Sequence, residues 1–557
     1  MEEASSEEQR ITVKHLRQKH VDAIVNAGAR KKIVVAGPGT GKTYLFRKVL
    51  EGKKNTLTLT FVNSLVEDLS LELYGLSEVR TLHGFARQQL KSAKRQTVQI
   101  FPQLSTVIRQ DAEILLGYDI DFDDLFHNMS DDHNNIEFYR KRRTYYDYYG
   151  FSDMVYAAVR FFEKYPDRVP LFSQVVVDEF QDFNKLEVTL IEQLASRSPI
   201  LLAGDDDQAL YKTLKSASAK HIRQRHSDDF FGYQRFTLPY CSRCTRAIVE
   251  TAKDLVSGAI QDGYLCDRID KPFRYFDNAQ KDEESECNPQ VIYTQVYARK
   301  IPWFIQERVK EIATEVRDKF EVLLISPTRT QCKIIADNLR EKGFENVHHI
   351  ERTEDSEPTL LDGLNLLLED RKSNLGWRVV ANNFLPNEEF EDLLTQTATE
   401  SNPPPFCDII KQERKSEVQA LLKAMRAVRD GRQSDDEEQI ISLLNKLGVD
   451  AVELAANSLS DQIGTSTQRQ VDPGIRKVFI KATTVQGSKG LAADYVFITH
   501  FDDKYFIKEK DHLTDQDICG FLVALTRAQK KAFLISSDTK KEPTFLKWIN
   551  KERICTI

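Results

Sequence analysis

Apolar and polar positions divide the chain into two sets of short, continuous apolar runs, separated by longer stretches of helical spacing. The first set is IVVAG (33–37), LTLTF (57–61), VVVDE (175–179) and ILLAG (200–204). The second is VLLIS (322–326), VFIKATT (478–484), YVFIT (495–499) and FLISS (533–537). Strands buried on both faces read as unbroken apolar runs, so each set predicts a parallel sheet covered by helices on both sides. Two sets predict two α/β domains. Each set is interrupted once. From 88 to 150 the sequence turns polar, acidic and then aromatic at helical spacing. From 351 to 475 it is again mostly helical, broken by NPPP (402–405) and GRQSDDEE (431–438). The expected organisation is a first α/β domain of residues 1–87 and 151–235 with an insertion at 88–150. A second comprises 236–350 and 476–557, with a short insertion at 351–475.

Composition narrows the class. A chain of 557 residues is too long for one core. With 41% hydrophobic and 29% charged residues it reads as a soluble globular protein. No apolar stretch approaches the ~18 residues that span a bilayer, and the acidic start MEEASSEEQR lacks targeting features. A cytoplasmic location with no membrane partner is expected. The net charge of −7 argues against a globally basic nucleic-acid coat and leaves room for a local basic channel. The acidic runs DEESE (282–286) and DDEE (435–438) are expected on solvated loops or helix ends. Eight cysteines make no disulfide framework. Cys241 and Cys244 form one C-x-x-C, with Cys266 and Cys287 further on, but no second close pair completes a metal site. The pair reads as incidental in a reduced protein.

Candidate chemistry starts at AGPGTGKT (36–43), between a predicted strand and a predicted helix. In that context Gly37, Pro38, Gly39, Thr40 and Gly41 form a turn whose backbone N–H groups reach phosphates at a helix N-terminus. Lys42 would contact the β- and γ-phosphates of ATP, and Thr43 would hold Mg²⁺. Ala36 stands where the strict pattern has glycine. VVVDEFQD (175–182) ends a second strand in Asp178 and Glu179, a carboxylate for the Mg²⁺ shell and one to polarise water. LLAGDDDQALY (201–211) ends a third, with Gln208 placed to sense the γ-phosphate and Tyr211 an aromatic available to nucleic acid.

P-loop, D-E-x-Q-D and G-D-x-x-Q-x-x-Y in this order resemble the UvrD/Rep-type superfamily 1A DNA helicases. TFVNS (60–64) is similar to the family's motif Ia, and there the resemblance puts Phe61 and Asn63 on single-stranded DNA. TLHGF (81–85) resembles motif Ib and carries His83. LPYCSRC (238–244) sits at the N-Y-R segment, which makes Arg243 a first arginine finger. TTVQGSKGL (483–491) resembles motif V, with Thr484 toward DNA and Gly490 toward nucleotide. VALTRA (523–528) matches motif VI and makes Arg527 the second finger. The resemblance implies two RecA-like P-loop NTPase domains, each interrupted by a mostly helical insertion, with ATP and Mg²⁺ as cofactors.

Several positions depart from the family's pattern. Thr213 replaces the Trp that usually follows motif III, Ser242 replaces the Tyr beside the first arginine, and Gln486 and Ala492 alter motif V. For adenine recognition Gln18 is a candidate, while His20 fits the spacing better. FYRKRRTYYDYYG (138–150) interleaves Arg140, Lys141, Arg142 and Arg143 with five tyrosines; by itself the pattern fits a helix with packed tyrosines equally well, and beside the resemblance it favours nucleic acid.

The expected function is an ATP-dependent 3′→5′ translocase or helicase acting on single-stranded DNA or a single/double-strand junction, the polarity coming from the resemblance. The alternative is a UvrD-like ATPase subunit that senses DNA ends and regulates a partner nuclease, as in Gabija-type phage-defence systems. An inert scaffold fits poorly, since Lys42 and Glu179 are both present. No nuclease constellation is evident, and no residue distinguishes DNA from RNA.

Overall fold

The computed structural model describes residues 2–61, 63–94, 97–210, 218–316, 318–344, 346–349, 357–398, 402–429, 478–509, 512–538 and 540–557. The chain forms two compact units: Met1–Phe85 with Val159–Arg352 and Arg469–Ile557, and Ala86–Ala158 with Thr353–Gln468. Tyr211, Thr213 and the acidic run 435–438 lie outside the described residues.

The first unit carries two parallel sheets. One takes β1 (Lys31–Ala36), β2 (Thr56–Thr60), β3 (Glu78–Thr81), β4 (Gln174–Val177), β5 (Ile200–Gly204) and β6 (Gln234–Leu238) in the order β3-β2-β4-β5-β1-β6. A short parallel pair follows, β7 (Tyr240–Cys241) on β8 (Arg274–Tyr275). The other sheet takes β9 (Val291–Gln295), β10 (Phe320–Ser326), β11 (Val347–His349), β12 (Val478–Thr484), β13 (Ala493–Thr499), β14 (Ala528–Ser536) and β15 (Ile554–Thr556). Its order is β11-β12-β10-β13-β14-β9-β15. Every residue of β2, β4 and β5 is buried, as strands covered on both faces must be. Because β5 lies between β4 and β1, the loops that leave the carboxyl ends of β1, β4 and β5 are neighbours. Ligands of open α/β sheets bind along that edge.

The second unit is helical and holds a buried charge cluster. Asp111, on the helix Leu104–Leu116, is fully buried and accepts hydrogen bonds from Arg142 Nε at 2.9 Å, Tyr146 OH at 2.6 Å and Arg378 Nε at 2.9 Å. Arg142 also donates to Thr397 Oγ1 at 3.0 Å. One carboxylate thus ties the helix His133–Tyr146 to Asn374–Phe384. Asp111→Asn leaves two buried guanidinium groups without their counter-charge. It should destabilise the protein by about 3–5 kcal/mol, read as a lower urea midpoint for the far-UV helical signal. An unchanged midpoint would show the cluster to be energetically idle.

That cluster corrects the reading of residues 138–150. On the helix His133–Tyr146, Tyr139, Arg142 and Tyr146 are three and four residues apart, so they share one buried face. Tyr148 and Tyr149 are buried as well. These four tyrosines pack into the unit instead of stacking on bases, and Arg142 serves the core rather than phosphate. Arg143 lies over the Tyr149 ring at 4.2 Å and 3.6 Å from Asp153, while Arg140 pairs with Glu137 at 2.7 Å. Arg140 and Lys141 remain exposed. The run 282–286 likewise sits within a helix, Ala279–Cys287, capped by Asn278.

Candidate functional site

The turn after β1 opens the helix Lys42–Leu50, and its geometry is set by glycines. Gly39 and Gly41 have φ of 68° and 91°, the left-handed region that side chains disfavour. A Cβ on Gly39 would overlap the Cβ of Arg243, so only glycine lets that arginine lie against the loop. Thr40 closes the turn by donating to the Gly37 carbonyl at 2.9 Å.

Gly37, Pro38, Gly39, Thr40, Gly41, Lys42 and Thr43 line one cleft of about 330 Å³. Asp178, Glu179 and Gln208 line it from the loops after β4 and β5. Arg243, Gly490 and Arg527 line it from segments that follow β7, lie between β12 and β13, and precede β14. The structure therefore brings every residue proposed for phosphate and metal chemistry into one place. Thr43 and Asp178 present a hydroxyl and a carboxylate to the same space, an oxygen donor set that suits a hard divalent cation such as Mg²⁺.

Electrostatics separates the two carboxylates. Burial, and then the neighbouring charge of Glu179, push Asp178 well above the usual carboxylate range. Burial acts upward on Glu179 too, but Lys42, Lys489, Gln181 and Arg527 together outweigh it and hold Glu179 below that range. Lys42 Nζ lies 3.8 Å from Glu179 Oε1. Glu179 also has φ of 52°, an unusual backbone for a non-glycine residue, which turns its side chain off the end of β4.

A hydrogen-bond relay links Glu179 to Arg527. Gln181 Nε2 donates to Glu179 Oε2 at 2.7 Å, and Gln181 Oε1 accepts from the Asp205 N–H at 2.9 Å. Gln208 Nε2 donates to Asp205 Oδ2 at 2.7 Å, and Arg527 Nη2 donates to Gln208 Oε1 at 2.8 Å. Gly204 is needed here, since a Cβ would overlap Gln181 Oε1.

Three basic residues escaped the motif reading. Lys489 is buried and donates to Asp182 Oδ1 at 2.6 Å and to the Gln208 carbonyl at 2.5 Å, pinning the β12–β13 segment to the loops after β4 and β5. Lys271 places its ammonium 3.0, 2.6 and 2.8 Å from Asp205, Asp206 and Asp207. These three carboxylates gather as metal ligands can, but Lys271, Arg223 and Arg268 already supply three cations to them. Arg17 stacks on Phe276 at 4.6 Å and reaches within 2.7 Å of where a Gly41 side chain would begin. Lys489 stood inside a quoted motif, but nothing in sequence signals Lys271 or Arg17.

Other expected site residues lie elsewhere. Gln18 does not line the cleft: it donates to Asp22 at 2.8 Å and accepts from Tyr44 at 3.2 Å. His20 meets the Tyr240 ring edge-on at 6.2 Å. Phe61 and His83 follow the carboxyl ends of β2 and β3 and approach one segment: Phe61 meets the Phe183 ring at 5.6 Å, and His83 Nε2 is 3.8 Å from Glu187. Thr484 ends β12, where its Oγ1 accepts from the Gly487 N–H at 3.2 Å. Asn63 begins the helix Asn63–Glu72, and its side chain lies outside the described residues.

Paired parallel sheets with a phosphate loop on one and basic residues reaching its cleft from the other define a two-domain P-loop NTPase. Comparison with known families agrees. A family model described as an AAA domain matches residues 20–214, and that of the UvrD-like helicase C-terminal domain matches 290–539. The chain belongs to the UvrD/Rep-type superfamily 1 helicases. It is 32% identical over 129 residues to the ATP-dependent DNA helicase srs2 of Schizosaccharomyces pombe, covering 22% of this chain and 14% of that protein. It is 22% identical over 300 residues to a probable DNA helicase of Mycoplasma pneumoniae, covering 44% and 56%. It is 35% identical over 86 residues to DNA helicase II of Escherichia coli, covering 15% and 12%. The chain thus spans between 12% and 56% of the length of these relatives. No helix among the described residues is long and apolar enough to cross a membrane.

Proposed function

We propose that the protein is an ATP-driven motor on single-stranded DNA, a superfamily 1A translocase or helicase that works in the cytoplasm. The carrying observation is that Arg243 and Arg527 share one cleft with Lys42, Asp178 and Glu179. Residues 1–87 and 151–235 form domain 1A, and 236–350 with 476–557 form domain 2A. The insertions 88–150 and 351–475 are domains 1B and 2B. The family resemblance supports 3′→5′ polarity.

Lys42 and the backbone N–H groups of the loop bind the phosphates of ATP, and Thr43 and Asp178 hold Mg²⁺. Bound there, Mg²⁺ would neutralise charge on the phosphate oxygens. Glu179, kept ionised by its cationic neighbours, accepts the proton of the attacking water. Arg243 and Arg527 stabilise charge that develops on the transferred group. Phe61, Asn63, His83, Thr484 and Tyr211 contact single-stranded DNA, and the exposed Arg140 and Lys141 add phosphate contacts. Placement of Phe61 and His83 at adjacent strand ends supports the first part of that path.

The test is ATP hydrolysis without nucleic acid and with single-stranded DNA, duplex DNA or single-stranded RNA. Turnover is expected to rise at least about tenfold with single-stranded DNA and to fall steeply with added salt, since phosphate contacts carry the binding. Stimulation by RNA alone would overturn the DNA reading. Turnover indifferent to all three would favour a second reading, an ATPase subunit that senses DNA ends and regulates a separate nuclease in an anti-phage complex. Thr213, where the resembled family usually has Trp, and Ala492 speak for it.

A further inference from the structure

The C-x-x-C pair brackets Arg243, which lines the nucleotide cleft. Cys241 ends β7, and Cys244 stands just before the helix Arg246–Gln261. Both are buried free thiols, three residues apart and packed in the same apolar cluster. Each end of this segment is anchored to a different part of the cleft. Ser242 N–H donates to the Gly39 carbonyl at 3.0 Å, and Cys241 Sγ lies 3.1 Å from where a Gly39 side chain would begin. Cys244 Sγ donates to the Thr526 carbonyl at 3.8 Å, next to Arg527, and Thr245 N–H donates to the Gln529 carbonyl at 2.9 Å.

We infer that Cys241 and Cys244 form a reversible disulfide under peroxide that pulls Arg243 out of register and turns the nucleotide cleft off. A disulfide requires sulfurs about 2.05 Å apart, closer than two free thiols pack. Bond formation therefore draws together the two ends of a segment held on one side by the phosphate loop and on the other by the strand behind Arg527. A shift of about 1 Å at a reacting group costs about 10²-fold in rate.

The chemistry balances with hydrogen peroxide as the oxidant. The Cys241 thiolate attacks one peroxide oxygen; the O–O bond breaks, hydroxide leaves, and Cys241 becomes a sulfenic acid. The Cys244 sulfur then attacks the Cys241 sulfur. The S–O bond breaks, the disulfide forms and water leaves, so two thiols and one peroxide yield one disulfide and two waters. The two thiols are shifted in opposite directions. Hydrogen bonding from Cys244 leads the effects that lower the Cys241 thiol to about 7, and the same contact raises Cys244, which stays protonated until it resolves the sulfenic acid. Cys266 and Cys287 are exposed and provide internal controls for reagent access.

The effect on turnover rests on the proposed ATP site; the bond itself does not. The test is peroxide treatment of the whole reduced protein, then alkylation, peptide mapping and ATP turnover. The expected results are a 241–244 disulfide, a turnover about 10²-fold lower, and recovery with dithiothreitol. A non-hydrolysable ATP analogue with Mg²⁺ should slow the bond's formation. Cys241→Ser and Cys244→Ser, each compared with its own reduced state, should lose the response. Alkylated Cys241 and Cys244 after a treatment that oxidises Cys266 and Cys287 would overturn the proposal, as would a mapped disulfide with unchanged turnover. Reduced protein without ATP turnover counts against the ATP-site reading alone, and mapping on the wild-type chain still decides the bond.

Discussion

Glu179→Gln is expected to keep ATP bound while lowering its turnover by about 10²–10⁴-fold, the contribution of a positioned general base. Glu179 is held ionised by Lys42, Lys489 and Arg527 despite its burial, so it can take a proton from water at neutral pH. An amide of the same shape cannot. Its carbonyl can still accept the Gln181 hydrogen bond that now spans 2.7 Å, so the relay toward Arg527 keeps its geometry. Lys42→Ala should differ in kind. It removes the cation that faces the phosphates, so turnover is lost and nucleotide affinity weakens with it. Equilibrium binding of a fluorescent ATP analogue beside steady-state turnover separates the two. Turnover of Glu179→Gln within a few-fold of wild type would remove Glu179 as the base. Equal loss of binding in both variants would mean that Glu179 holds the ligand rather than activating water.

How much of this was legible depends on whether a signal is local. All eight apolar runs coincide with strands, because a strand with neighbours and helices on both faces is filled mainly by apolar side chains. The unforeseen strands are mostly at the margins. β3 and β6 edge the first sheet and β11 and β15 the second, where half-exposed positions admit residues such as Glu78, Arg80 and Gln234. That the motif residues would line one cleft was legible because each motif is a contiguous loop at a strand end. Lys489 and Asp182 meet across 307 positions, and Lys271 reaches its three carboxylates from a segment with no apolar pattern. Such contacts exist only after the sheets have formed. In 138–150 composition pointed to nucleic acid, whereas the spacing of Tyr139, Arg142 and Tyr146 already described one helix face.

Arg243→Ala and Arg527→Ala should each lower kcat by about 10³-fold, the low end for an arginine that stabilises a transferring phosphoryl group. Arg527 is the more constrained of the two. Its Nη2 donates to Gln208, its Nε to the Val523 carbonyl at 3.0 Å and its Nη1 to the Leu491 carbonyl at 3.2 Å. Lysine cannot make three such fixed contacts, so Arg527→Lys should recover little. Burial, reinforced by Arg243, lowers the Arg527 guanidinium to about 10, which leaves it charged at neutral pH. Two cations serving one developing charge act as a unit, so the double variant should lose less than the product of the single losses. Single-turnover measurements with Mg²⁺–ATP read all four variants. Independent, multiplicative losses would place the arginines on separate steps. Wild-type-like kcat in both single variants would mean that hydrolysis does not need the second sheet. The motor reading would then fail, since closing and opening of the cleft could no longer follow the state of the phosphates.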